Sequence, residues 1–182
     1  LDEGVYDVAA EALGAVTSTD TTINELTVDT LGPSVVISGP SIGATQSGPV
    51  SFNIHYGPDA QVGLLPSDVT TFSLLDANVT VLKGSPIASR NKVFPISTAT
   101  ATGVITLSGT GNAVRTVTIS EITGNGYLGI ALVGGSAVDS SGNPADGAIA
   151  VDLVNVDNTA PKLLSGGVAN QGILVLAFDE IG

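Results

Sequence analysis

Val50-Ser51-Phe52-Asn53-Ile54-His55-Tyr56 alternates apolar and polar side chains without a break. A β-strand turns successive side chains to opposite faces, so Phe52, Ile54 and Tyr56 share one face and Ser51, Asn53 and His55 the other. The stretch therefore reads as a strand with one side in a core and one in water. Further strands are expected near 34–38, 69–75, 79–82, 102–108, 114–120, 127–133 and 148–154, each bounded by Gly, Asn, Asp or Pro. Seven or eight short strands at this spacing form the pattern of a two-sheet sandwich, with a barrel as the weaker rival.

Composition agrees. Among 182 residues there are 23 Gly and 9 Pro, set among many Val, Ile, Thr and Ser. No stretch holds a helical period for three turns, so the chain reads as all-β. Cys, Met and Trp are absent, which removes disulfides and thiol chemistry. Seventeen acidic residues stand against five basic ones, giving a formal charge of −12. That sign opposes binding to phosphate backbones or anionic lipid and suits divalent cations, although a solvated acidic surface accounts for it equally well. No apolar run reaches the ~20 residues of a membrane helix. With Leu1 at its start, the chain is expected to be a segment of something longer.

The punctuation repeats. Val28-Asp29-Thr30-Leu31-Gly32-Pro33 returns as Val156-Asp157-Asn158-Thr159-Ala160-Pro161, with Asp29 and Asp157 128 residues apart. A recurrence at one-domain spacing marks a tandem array jointed at the prolines. Residues 1–28 are then the terminal strands of a preceding β domain, 29–157 a complete domain, and 158–182 the first hairpin of a following one. In that last piece Ile173 to Phe178 repeats the 50–56 pattern, Leu174, Leu176 and Phe178 standing for Phe52, Ile54 and Tyr56. Half a sandwich exposes an apolar face and open strand edges. Either the protein continues on both sides, or neighbouring copies supply strands head to tail.

Several segments carry a family resemblance. Ser38-Gly39-Pro40-Ser41, the strand around Phe52 to Tyr56, Arg115-Thr116-Val117-Thr118-Ile119-Ser120 with Ile122-Thr123-Gly124-Asn125-Gly126, and the loop Asp139-Ser140-Ser141-Gly142-Asn143 resemble bacterial immunoglobulin-like tandem repeats of large surface and secreted proteins. Their linkers are similar to Val156–Pro161, which also resembles the Asp/Asn-rich linkers of cadherins. Leu174 to Glu180 instead resembles the first hairpin of repeats in cyanobacterial swimming and surface proteins. Lys83 to Ser97 departs from the pattern as an insertion holding Lys83, Arg90 and Lys92, three of the five basic residues. The resemblance implies an immunoglobulin-like sandwich of seven to eight strands, an extracellular or cell-surface setting, a spacer or adhesive role, and no catalytic residues.

Calcium is the one cofactor expected. Strand alternation places the amino-terminal joint, the loop after the second strand and the loop before the last strand at one end, bringing Asp29, Asp59, Asp139 and Asn143 together. The same logic sets Asp157 and Asn158 near Asp179 and Glu180 in the next domain. Carboxylates, amide oxygens and loop carbonyls can supply the six to eight hard ligands calcium takes. Against this, Asp and Asn beside Gly or Pro are ordinary turn formers.

Other chemistry finds little support. His55 is the single histidine and falls on a polar strand face, so neither a His-rich zinc site nor a catalytic triad is expected. Paired carboxylates of the glycosidase kind need a cleft. Sugar stacking would need exposed rings, and of Tyr6, Phe52, Tyr56, Phe72, Phe94, Tyr127 and Phe178 only Phe94, in the insertion, is expected free. Arg90, Lys92 and Phe94 form either a contact patch or a solvated loop. Asn78-Val79-Thr80 matches a glycosylation triplet and reads as a turn. The expected function is structural, a rigid spacer or building block of a surface adhesin, sheath or filament. The alternative is a module recognising a surface glycan or protein partner through its end loops.

Overall fold

The computed structural model describes residues 4–6, 26–75, 99–169 and 172–179. Along the chain lie β1 (Gly4–Tyr6), β2 (Leu26–Val28), β3 (Val35–Ile37), β4 (Ala44–Thr45), β5 (Val50–Tyr56), β6 (Gln61–Val62), a 3₁₀ turn at Pro66–Asp68, β7 (Val69–Leu74) and β8 (Thr102–Ser108). They are followed by β9 (Val114–Thr123), β10 (Gly126–Leu132), β11 (Ala137–Val138), β12 (Ala148–Ile149), β13 (Val154–Val156), β14 (Leu163–Ala169) and β15 (Ile173–Phe178). The protein is all-β, and among the described residues no helix is long and apolar enough to cross a membrane.

Two sheets face each other. The first runs β3-β5-β9-β8, all antiparallel. In the second, β10 is flanked by β7 along its length on one side, and by β13 and then β12 on the other. β4 closes that sheet by pairing parallel with β13, Asn155 opposite Ala44. The first strand is therefore split, β3 lying in one sheet and β4 in the other. β9 passes to β10 through Gly124-Asn125, where Gly124 takes φ 79°, a left-handed conformation that costs glycine little.

The alternation that defines these strands builds the core. Phe52 and Ile54 of β5, Val117 and Ile119 of β9, Leu128 and Ile130 of β10, and Val154 of β13 are all fully buried in one cluster between the sheets. Removing each such side chain from water contributes about 1.5–3 kcal/mol. On the outer face of the second sheet a smaller cluster joins Phe72, Leu74 and Ala131 with Tyr127, Ile149 and Leu153. Gly129 makes room there, since a Cβ would lie 2.8 Å from the Phe72 ring.

The strands expected at 50–56, 102–108 and 173–178 begin and end at those residues. The strand expected over 148–154 is instead two, β12 and β13, both paired along β10, with Val151 and Asp152 exposed between them while Ala150 still donates to the Ile130 carbonyl at 2.9 Å. The strand expected at 79–82 falls outside the described residues. Among the described residues β6 pairs only with β11, and beyond the sandwich β1 pairs with β2 and β14 with β15.

Candidate functional site at the two joints

Both joints open on the same turn. Asp29 Oδ1 accepts the Leu31 N–H at 3.3 Å, and Asp157 Oδ1 accepts the Thr159 N–H at 2.9 Å. An Asp side chain that caps the backbone two residues on mimics a backbone turn and sets the direction of the chain into the following proline.

The first joint is tied to the sandwich that follows it. Ser141 Oγ donates to Asp29 Oδ2 at 3.0 Å, and Asn143 Nδ2 donates to the Asp29 carbonyl at 2.9 Å. Gly32 lies so close to Pro144 that a Cβ would collide with its carbonyl. The loop 139–143 that makes these contacts closes on Asp139. Its Oδ1 accepts the N–H groups of Ser141 and Asn143, both at 2.8 Å, and its Oδ2 accepts Asn143 Nδ2 at 2.9 Å.

Asp139 is 2% exposed. Burial alone pushes its carboxyl up. The donors, first the Asn143 side chain and then the N–H groups of Asn143, Ser141 and Gly142, outweigh that and hold it below the usual value.

The second joint is tied to the same sandwich, which precedes it, through Asn158. Its N–H meets Asn125 Oδ1 at 2.6 Å, and its Nδ2 reaches the carbonyls of Gln46 and Gly124, both at 2.8 Å. Gly124-Asn125 precedes β10 and the 139–143 loop follows it, so the joints hold opposite ends of the sandwich. Seven residues of strand set those ends about 24 Å apart.

Of the residues considered for calcium, Asp29, Asp139 and Asn143 do meet. Asp59 lies at the same end, in the turn after β5 beside Gly57 and Ser34, and no hydrogen bond among the described residues links it to the other three. Asp157 and Asn158 do not join Asp179, whose Oδ1 accepts the Lys162 N–H at 2.6 Å within the β14–β15 pair. Glu180 lies outside the described residues. At the first joint the oxygens a cation would need already accept N–H and O–H donors. Among the described residues no three acidic or histidine side chains gather to hold a metal. The arrangement is a hydrogen-bonded strut, and sequence reasoning missed its second half because the partners of Asn158 are mostly backbone carbonyls.

The remaining candidates are placed as follows. His55 is exposed on the outer face of the first sheet, opposite Val36 and Val114. Phe52, Tyr56 and Phe72 are buried, and Tyr127 packs into the outer cluster. Tyr56 donates to Ser136 Oγ at 3.2 Å inside the sandwich. Phe178 is 48% exposed. Lys83, Arg90, Lys92, Phe94 and Asn78 lie outside the described residues. No family model, curated protein or solved structure matches the chain.

Proposed function

We propose that the protein is a structural module of a tandem array, an immunoglobulin-like repeat that serves as a rigid extracellular spacer or building block of a surface adhesin, sheath or filament, without catalysis. The observation that carries this reading is the repetition of one Asp-capped joint at 128-residue spacing, with each joint bonded to an end of the same sandwich. A linker pinned by side chains to the domain it enters or leaves transmits direction, where a free linker would not.

Strand order supports the immunoglobulin-like part. The order β3-β5-β9-β8 in one sheet and β7-β10-β13 in the other reproduces the A-B-E-D and C-F-G sheets of a constant-type domain.

Both terminal pairs support the array. In β3–β5, Val35 lies opposite Tyr56 two residues past Pro33, and in β14–β15, Leu163 lies opposite Phe178 two residues past Pro161. In β10–β13, Gly126 lies opposite Val156 just before Asp157, and in β1–β2, Gly4 lies opposite Val28 just before Asp29.

Small-angle scattering and electron microscopy of a protein carrying several copies of residues 29–161 test the reading. Straight, evenly spaced particles are expected. A compact or freely bending chain would contradict it.

A further inference from the structure

We infer that the β14–β15 pair is a docking face for a second copy of this chain, and that its occupant is that copy's β1–β2 pair. The inference rests on the repeat reading above and names the partner it did not specify.

Residues directly opposite each other across an antiparallel ladder share a face. Leu163 with Phe178, Gly166 with Leu176 and Val168 with Leu174 therefore form one face of the hairpin, and Leu176 lies over Gly166, 3.0 Å from where a Cβ would stand. The five large side chains of this face are 46–74% exposed. An isolated two-stranded hairpin is marginal in water, and an uncovered apolar face of this kind marks an interaction site.

The sandwich shows what fits there. In β5 the equivalent face, Phe52, Ile54 and Tyr56, is covered by the inward side chains of β10 and β13. The segment with the same register as β10–β13 is β1–β2, in which Gly4, Val5 and Tyr6 oppose Val28, Thr27 and Leu26.

Charge favours the same pairing. The chain carries −12, yet Leu163 to Phe178 contains no acidic or basic side chain, nor do Gly4–Tyr6 or Leu26–Val28. Two copies can meet at these surfaces without opposing like charges. The contact joins different surfaces of the two copies, so it propagates as an open string or closes into a ring.

Sedimentation velocity on residues 1–182 tests this, with a tail variant, Leu174→Asp/Leu176→Asp, and a head variant lacking residues 1–28. Thermal melts followed by circular dichroism check that the sandwich persists in each. The parent chain is expected to form species that grow with protein concentration, and each variant alone to be monomeric. Mixed, the two variants should give a one-to-one dimer and nothing larger, because each keeps one competent end. A parent chain that stays monomeric with an intact sandwich overturns the contact and leaves the module reading standing. A head variant that assembles by itself also overturns it, since the hairpin would then pair with its own kind. Rings in the microscope in place of strings support the contact while contradicting the spacer.

Discussion

Leu163 stands directly opposite Phe178, the same relation to Pro161 that Val35, opposite Tyr56, bears to Pro33. One strand pairing is thus used twice, once covered and once bare. Ile54 is fully buried, whereas its counterpart Leu176 is 46% exposed. The energetic worth of equivalent side chains must then differ between the two settings.

Ile54→Ala is expected to destabilise the sandwich by about 2–5 kcal/mol, through lost burial and the cavity left behind. Leu176→Ala in the monomeric chain should stay within about 0.5 kcal/mol of the parent. Urea denaturation of both variants checks the contrast. Equal losses would mean that β15 is packed as β5 is.

Asn158→Ala removes the amide that reaches Gln46 and Gly124. These bonds are exposed, so the cost should be modest, about 1 kcal/mol or a few degrees in melting temperature. The larger effect is on direction. Spin labels on either side of the joint should report a broader distance distribution in the variant than in the parent.

Asp139 gives the joint an acid limit. Its carboxyl is held below the unfolded value of about 3.9. Its contribution is therefore complete above that pH and is lost as pH falls through the lower folded value. Asn143→Ala removes the leading donor, which raises the folded value toward the unfolded one, so the variant should be less stable at neutral pH and lose less stability than the parent as pH falls. Melting temperatures measured from neutral pH down to pH 2 check the sign. A variant that tracks the parent throughout would show that the loop does not depend on Asn143.

Calcium should leave the melting temperature of the chain unchanged at millimolar concentration, because the oxygens of Asp29 and Asp139 already accept donors from Leu31, Ser141 and Asn143. A calcium-dependent rise, reversed by chelator, would show that cation ligation displaces this network.

Much of the sandwich is legible in sequence because side-chain alternation is a local signal. β5 announces itself through it, and β15 through its repetition of the apolar positions of β5. Strands β4, β6 and β11, two residues each, are too short to show a period; β4 forms along the edge of β13, and β6 and β11 pair with each other. In β14, Gly166-Gly167 interrupts the apolar run and leaves no alternation to follow. Its pairing shows that glycine there gives room to Leu176.

The meeting of Asp29, Asp139 and Asn143 follows from strand alternation. Their use as a strut does not, because it depends on which donors face which oxygens. The role of Asn158 is invisible for a simpler reason: the carbonyls of Gln46 and Gly124 carry no residue-type signal.

The central claim is that residues 29–161 form a self-sufficient unit to which the terminal strand pairs are attached. Differential scanning calorimetry of residues 29–161 alone tests it most directly. The account predicts one cooperative transition, with calorimetric and van't Hoff enthalpies equal, near the melting temperature of the monomeric parent chain. A broad, non-cooperative melt, or a fragment that is unfolded at room temperature, would contradict it.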